Sequence, residues 1–474
     1  MNEKLVTKLY ARLPIPLQNA ACTAYGLRER RARYGPEFHR RLESLEASDR
    51  WSRGDIDAYQ DEQVAALVRH AYQHVPFYRA RMKALGLTPA DVRSRADLPK
   101  LPILTKEDVR QNRAALVAVN ADPRRLRHSH TSGTTGKSLQ FEVTADSQAF
   151  QWAVWWRHRR RFGLRVGDLH ANFMGKLVVP PSQSRPPFWR WNWAFHQALI
   201  PMQQVTPEKV RALVAFLEEH PFVFWSGYPS IHHALARAAL DAGLTMRHPP
   251  RAIVTGAENL LEVQRRDLER FTGAVVADQY GFSEGCGNAS QCAEAQRYHE
   301  DFEFSVLECV DPEPLPDGRT LGKIVCTGFS CWEFPFLRYE VGDWGVWSRE
   351  DDPCPCGRHS RAIERVEGRA DDYVLTPEGS RIMRFDYLFK DSHEVRECQV
   401  VQERLGEIVL RVVRRPGYSV ADERALLDEV RRWISPSIEV RFDYVPVIAR
   451  EASGKFRAVK SCLREGRAAS AVAA

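Results

Sequence analysis

The sequence predicts an α/β protein made of a large N-terminal domain and a small C-terminal α+β domain. Three observations lead there. The chain has 474 residues, more than one small core needs. Arg251–Gly256 (RAIVTG) and Ala274–Tyr280 (AVVADQY) are short β-rich runs separated by a helical pattern over Asn259–Phe271, which predicts parallel strand–helix–strand layering. After Gly368 the texture changes to strands at Tyr373–Leu375, Glu394–Gln402, Glu407–Val413 and Glu439–Val445 around an amphipathic helix at Asp422–Ile434. The expected domains are therefore 1–368, with 1–110 mostly helical, and 369–474. They divide where Glu367–Asp372 (EGRADD) interrupts the apolar pattern.

The helical expectation for the first segment rests on Gln63–Met82, where apolar residues recur three and four apart. Leu5–Ala24 is mildly amphipathic and is expected to pack on the body of the protein, with contact to a membrane surface as the alternative. With 44% hydrophobic and 27% charged residues, the chain is neither disordered nor fibrous. Its 68 basic and 61 acidic residues leave a net charge of +7, a small excess. The basic runs Arg28–Arg33 and Arg157–Arg161 read as solvated helix faces, and no nucleic-acid recognition motif accompanies them. Ten scattered cysteines do not form the framework of a small secreted protein. The N-terminus lacks the apolar run of a signal peptide, and no stretch is long enough to span a bilayer, so the cytoplasm is the expected compartment.

Thr131–Ser138 reads TSGTTGKS. Glycines that let backbone N–H groups approach, hydroxyls and a lysine suit a polyphosphate. A P-loop needs glycine five positions before Gly136, where this chain has Thr131, so that reading fails. Further motifs follow in order: Gly256-Ala257-Glu258, Asp278–Glu284 (DQYGFSE), Leu337–Asp343 (LRYEVGD), Glu367–Asp372 and Ala452–Arg457 (ASGKFR).

This series, spanning roughly Arg127 to Lys460, resembles the adenylate-forming superfamily of acyl-CoA synthetases, adenylation domains and luciferases. Within it the chain is most similar to the phenylacetate–CoA ligase group, and there to the CapK-like branch with its coenzyme F390 synthetase-like members. His74–Tyr78 (HVPFY) and Leu98–Lys106 (LPKLPILTK) add to that likeness. The resemblance implies a large adenylate-forming domain of layered sheets and helices with a small mobile lid. It also implies a role for each motif. Thr131, Ser132, Gly133, Thr134, Thr135, Gly136 and Lys137 cradle the ATP phosphates. Gly256, Ala257 and Glu258 border adenine, Tyr280 stacks on it, and Asp278, Gln279, Gly281 and Ser283 complete that wall. Glu284 helps to hold Mg²⁺, Asp343 grips the ribose hydroxyls, Arg369 contacts the nucleotide and Asp371 is the hinge. Lys455 is the catalytic lysine, whose ammonium draws carboxylate and α-phosphate together.

Cys292, His299, Cys354 and Cys356 carry the donors of a closed zinc site, the last two in a Cys-Pro-Cys-Gly knuckle. Spacing alone fits unrelated buried cysteines equally well; the resemblance favours a structural metal, with Cys286 as an alternative ligand. Trp225 and Tyr228 lie where the family shapes its acyl pocket. In the aromatic stretch 180–199, Trp189, Trp191 and Trp193 alternate, which suits core packing better than a pocket or a membrane contact.

The expected reaction joins a carboxylic acid and ATP into acyl-AMP and pyrophosphate, followed by transfer to an acceptor thiol, with CoA as the default. Transfer to an amine of a sugar or metabolite is the alternative. A zinc-containing nucleic-acid-binding protein would leave Tyr280, Asp343 and Lys455 without a purpose. The sequence is silent on oligomeric state.

Overall fold

The computed structural model describes residues 9–131, 139–180, 183–349, 351–369, 374–377, 381–382, 394–450 and 456–463. The hairpin β1 (Arg127–His130) and β2 (Gln140–Val143) stands at either side of the phosphate-loop motif. The large sheet contains β3 (His170–Met174), β4 (Arg190–Asn192), β5 (Gln197–Pro201), β6 (Phe224–Gly227), β7 (Ala252–Gly256) and β8 (Val275–Gly281). It continues through β9 (Asn288–Gln291), β10 (Tyr298–Glu300), β11 (Ser305–Pro314), β12 (Thr320–Gly328), β13 (Tyr339–Trp347) and β14 (Ala362–Arg369). The order of these 12 strands is β11-β12-β13-β14-β10-β9-β8-β7-β6-β3-β5-β4.

The strands β5, β3, β6, β7 and β8 run parallel, so their carboxyl ends share one edge. The predicted strand–helix–strand unit is β7, the helix Glu262–Thr272 and β8. Gly273 ends that helix in the left-handed region at φ 73°, which glycine adopts without a Cβ clash.

Helices cover both faces of the parallel part, because its strands are apolar on both sides. On one face Leu213, Phe216, Trp225, Leu235, Leu268 and Phe271 form a core with the helices Val210–Glu219, Pro229–Asp241 and Glu262–Thr272. On the other, the helices Pro36–Ala47 and Ala145–Arg161 bring Phe38, Leu42, Phe150 and Val154 onto Phe224 and Ala252. Each such side chain contributes about 1.5–3 kcal/mol when removed from water.

The helical pattern expected over Gln63–Met82 forms two helices, Arg53–His74 and Pro76–Ala84. Val75 between them is extended, since the residue before a proline is disfavoured in the α region. These helices pack beside β11–β14, where Tyr78 donates to the Pro335 carbonyl at 2.9 Å. The helix Ile15–Arg33 lies on β4 and on Ala145–Arg161, as expected for a segment that packs on the body. Its Gly26 passes so close to Asn192 that a Cβ would come within 2.1 Å of Oδ1.

The solvated-face reading of Arg157–Arg161 is overturned. Arg157 is buried and bonded to Asp301 and Glu303, Arg161 pairs with Asp49, and Arg159 lies over Trp152 and Trp156. The helix faces acidic and aromatic neighbours that are distant in sequence, which no local charge pattern reveals.

Beyond the short pair β15 (Val374–Leu375) and β16 (Arg381–Ile382) comes a second sheet. It contains β17 (Val395–Arg404), β18 (Glu407–Arg414), β19 (Glu439–Tyr444) and β20 (Val459–Ser461) in the order β19-β18-β17-β20. The helix Val420–Trp433 closes its core through Leu426 and Val430 against Val400, Ile408, Leu410 and Val412. This matches the predicted α+β texture. No helix among the described residues is long and apolar enough to cross a membrane.

Candidate active site

A cavity of about 1300 Å³ opens at the carboxyl ends of β3, β6, β7 and β8. Crevices at that edge are where open α/β sheets bind ligands. Its volume exceeds the roughly 300–1,000 Å³ of common ligand pockets, leaving room for a nucleotide and a sizeable second group. Thr131, Gly256, Ala257, Glu258, Gln279 and Tyr280 line it, together with Gly281, Ser283, Glu284 and Asp343. Phe456 and Arg457 line it too, so motifs up to 326 positions apart in the chain (131 to 457) meet in one place.

Tyr280 donates its hydroxyl to Asp343 Oδ2 at 2.9 Å. Burial and the neighbouring Asp343 carboxylate hold the phenol well above its ordinary pKa, so it stays a donor. In the sheet, β9, β10 and β14 separate the strands that carry these residues. A flat sheet would set those strands roughly 19 Å apart at about 4.8 Å per step. The sheet must therefore curl over, and the curl forms one wall of the cavity. Glu284 accepts from Tyr339 at 2.9 Å through Oε1 and is buried.

Asp278 behaves differently from its neighbours. Thr255 donates to its Oδ1 at 2.5 Å and Tyr298 to its Oδ2 at 2.6 Å, so both oxygens are occupied within the protein. It acts as a strut under the end of β8. Gln279, by contrast, lines the cavity, and its buried Nε2 has no hydrogen-bond partner among the described residues. Ala257 is left-handed at φ 67°, a strained conformation for a residue with a Cβ and one found at ligand clamps.

Glu258 reaches into the second sheet's territory. Its Oε2 accepts from the Ser230 backbone at 3.1 Å and its Oε1 from the Phe456 backbone at 2.8 Å. Ser132, Gly133, Thr134, Thr135, Gly136, Lys137, Asp371 and Lys455 lie outside the described residues. Of Arg369 only the backbone is described, paired with Asp343 across β13 and β14.

The acyl-pocket expectation needs correction at Trp225. Its side chain is 1% exposed, within the core on the far face beside Phe173, His232 and Phe271. Along β6 successive side chains alternate faces, so Ser226 faces the cavity instead, and Tyr228 does line it. Between them Gly227 passes Phe173 so closely that a Cβ would come within 2.1 Å of its carbonyl oxygen. In the aromatic stretch, Trp189 stacks on Phe216 at 3.6 Å in the core, and Trp191 stacks on the exposed Trp193 at 4.5 Å. Ala194, Phe195, Gln197 and Leu199 of the same stretch are cavity residues. Sequence reasoning also missed Trp152, Trp155 and Asn172 in that wall. The tryptophans spaced by three on a helix were a usable signal.

Away from the cavity, Cys292, His299, Cys354 and Cys356 converge, their ligand atoms all within 4.8 Å of one another. Cys292 Sγ and Cys354 Sγ are 3.7 Å apart, and Cys356 Sγ is 3.3 Å from His299 Nε2. Tetrahedral bonds of about 2.3 Å from zinc to sulfur would set an S–S edge near 3.8 Å. Donor set and spacing therefore fit the metal. Cys286 is not among the four; it is buried beside Gly328. The cluster ties the β9–β10 turn to the loop between β13 and β14, where Gly357 at φ 72° closes the knuckle by donating to the Cys354 carbonyl.

Residues 374–462 match the family model described as the CapK C-terminal domain. Protein CapK of Staphylococcus aureus is 24% identical over 412 residues, covering 86% of this chain and 88% of that protein. A phenylacetate–coenzyme A ligase of Thermus thermophilus is 29% identical over 349 residues, covering 68% and 72%. Among solved structures, 2-hydroxyisobutyryl-CoA ligase in its postadenylation state superimposes with a TM-score of 0.68 at 20% identity, over 90% of this chain and 93% of that one. Fold and site together define a member of the adenylate-forming superfamily. Within it the chain belongs to the phenylacetate–CoA ligase-like group, in its CapK-like branch.

Proposed function

We propose that this chain is an AMP-forming carboxylate ligase that converts an acid and ATP into acyl-AMP and pyrophosphate, then transfers the acyl group to the thiol of CoA. The first half follows from attack of a carboxylate oxygen on the α-phosphorus with departure of pyrophosphate. In the second half a thiolate attacks the acyl carbonyl, a thioester forms and AMP leaves. The observation that carries this reading is the convergence of Gly256–Glu258, Tyr280, Glu284 and Asp343 on one cavity at the carboxyl ends of parallel strands.

In this reading Tyr280 offers its ring to adenine, while its hydroxyl orients Asp343 and leaves Oδ1 for the ribose hydroxyls. Gln279 lines the same wall, and its Nε2 has no hydrogen-bond partner among the described residues. Glu284 keeps one oxygen beside the one taken by Tyr339, a hard ligand suited to Mg²⁺, which would neutralise phosphate charge when bound. Cys292, His299, Cys354 and Cys356 would hold a structural Zn²⁺, since four protein ligands leave no open position.

Residues 1–368 serve as the adenylation domain and 369–474 as the lid, with Asp371 as hinge and Arg369 on the nucleotide. The Phe456–Glu258 bond supports a lid that delivers Lys455 to the reacting groups.

The test is ATP–pyrophosphate exchange with Lys455→Ala. The variant should lose acid-dependent exchange while still transferring the acyl group from supplied acyl-AMP. Full exchange would remove the lysine from the mechanism. Mass spectrometry of products formed with CoA and with amino sugars then decides between thioester and amide.

A further inference from the structure

The cavity extends beyond the residues assigned to the nucleotide. It continues over the face of β3, where His170, Asn172 and Met174 alternate with the core residues Ala171 and Phe173. From Met174 at the catalytic edge to His170 the strand rises about 13 Å. Gln197 and Leu199 of β5 flank this floor, and Asn172 donates to Gln197 Oε1 at 3.3 Å. The roof combines Trp152 and Trp155 of the helix Ala145–Arg161 with Cys22, Tyr25 and Gly26 of the helix Ile15–Arg33. Aromatic walls over a floor of that length suit an elongated acyl group.

At the far end stand three guanidinium groups with different surroundings, of which Arg30 donates to the Ala194 carbonyl at 2.8 Å. Arg33 lies 4.4 Å from the centre of the Trp152 ring and is paired with Glu29 at 2.8 Å. Arg159 also belongs to the cavity wall, 4.9 Å from the Trp156 ring and 5.7 Å from that of Trp152. Among the described residues its enclosed Nε has no hydrogen-bond partner and no carboxylate pairs with it. Burial, reinforced by the charge of Arg33 and opposed by Tyr34, works against its positive form. Cation–π contacts recover only about 0.5–2 kcal/mol. A half-buried cation kept without a counter-charge needs an anion from elsewhere to offset its desolvation.

We propose that the acid activated here is bifunctional: an elongated, largely apolar body carries the reacting carboxylate at one end and a second carboxylate at the other, which Arg159 binds. The inference rests on the acid-activating reading and names its substrate class. Asn172 and Gln197 then meet polar groups along the body, and Arg33 with Glu29 holds the Trp152 ring against it.

The probe pair is dodecanedioate and its monomethyl ester, which differ only in the distal charge. Calorimetric titration of the full chain without ATP should favour the diacid at least tenfold. In Arg159→Met the two affinities should fall within twofold of each other, while Arg159→Lys should keep part of the preference. Melting temperatures of both variants establish that they are folded. Equal affinities in the parent protein, no heat from the diacid, or a preference that survives in Arg159→Met would overturn the proposal. A dependence on Arg159 that appears with CoA and not with the diacid would overturn it too, by assigning the anion to the acceptor. Exchange over a broad panel of acids judges acid activation separately, because the calorimetric ratio requires no turnover.

Discussion

The Tyr280 hydroxyl is bonded to Asp343 at 2.9 Å although three strands of the sheet, β9, β10 and β14, lie between theirs. That bond closes the curl of the sheet over the cavity and holds the Asp343 carboxylate beside the Tyr280 ring.

The first prediction concerns that pair. Charged hydrogen bonds contribute about 1.5–3 kcal/mol each, so Asp343→Ala should raise the KM for ATP by roughly 10- to 100-fold. Tyr280→Phe keeps the ring and loses one bond to a carboxylate that retains its charge, so its effect should be several-fold smaller. Exchange assays at varied ATP measure both.

Glu258 should matter to adenylation alone. Burial raises its carboxyl above the ordinary value, and the N–H groups of Phe456 and Ser230 oppose the rise. A raised pKa means that protonation begins at higher pH than for a free glutamate. As pH falls through it, the carboxylate loses its charge and the contact with Phe456 weakens. Exchange should therefore decline towards acid, starting at higher pH than a free glutamate would impose, and Glu258→Gln should show a flatter acid limb. Acyl transfer from supplied acyl-AMP should be unchanged in the variant.

The sulfur cluster should hold about one zinc per chain, as one tetrahedral site implies. Cys354→Ser with Cys356→Ser should remove the metal and lower the melting temperature by at least roughly 5 °C, since each kcal/mol moves it by about 2–4 °C in large domains. Elemental analysis and calorimetry test this together. A metal-free parent protein of equal stability would contradict it.

Arg157 bonds to Asp301 at 2.7 Å and to Glu303 at 2.6 Å, all three buried. Arg157→Met leaves two buried carboxylates without their cation and should cost about 3–5 kcal/mol. Urea unfolding would show the loss, with the KM for ATP unchanged.

Much of this was legible in the residues. Gly256–Glu258 and Asp278–Glu284 each follow a β-rich run and do end strands β7 and β8. The C-terminal strands and helix fall where alternation and helical spacing put them. Cys292, His299, Cys354 and Cys356 meet as the family resemblance implied. Trp225 and Arg159 were misread for opposite reasons. A tryptophan near the pocket motif faces the core because its strand position has the wrong parity, and an arginine in a charge run faces a cavity because its helix is covered by another.

The sequence by itself singled out groups that gather at the cavity and where the chain turns between elements, because local spacing, glycine placement and donor type are properties of short segments. The tertiary structure decided what each group faces. The curl that joins Tyr280 to Asp343, the fully engaged carboxylate of Asp278 and the uncompensated cation of Arg159 all arise from packing between segments far apart in the chain. Burial and pairing are sums over such neighbours, and no local pattern carries them.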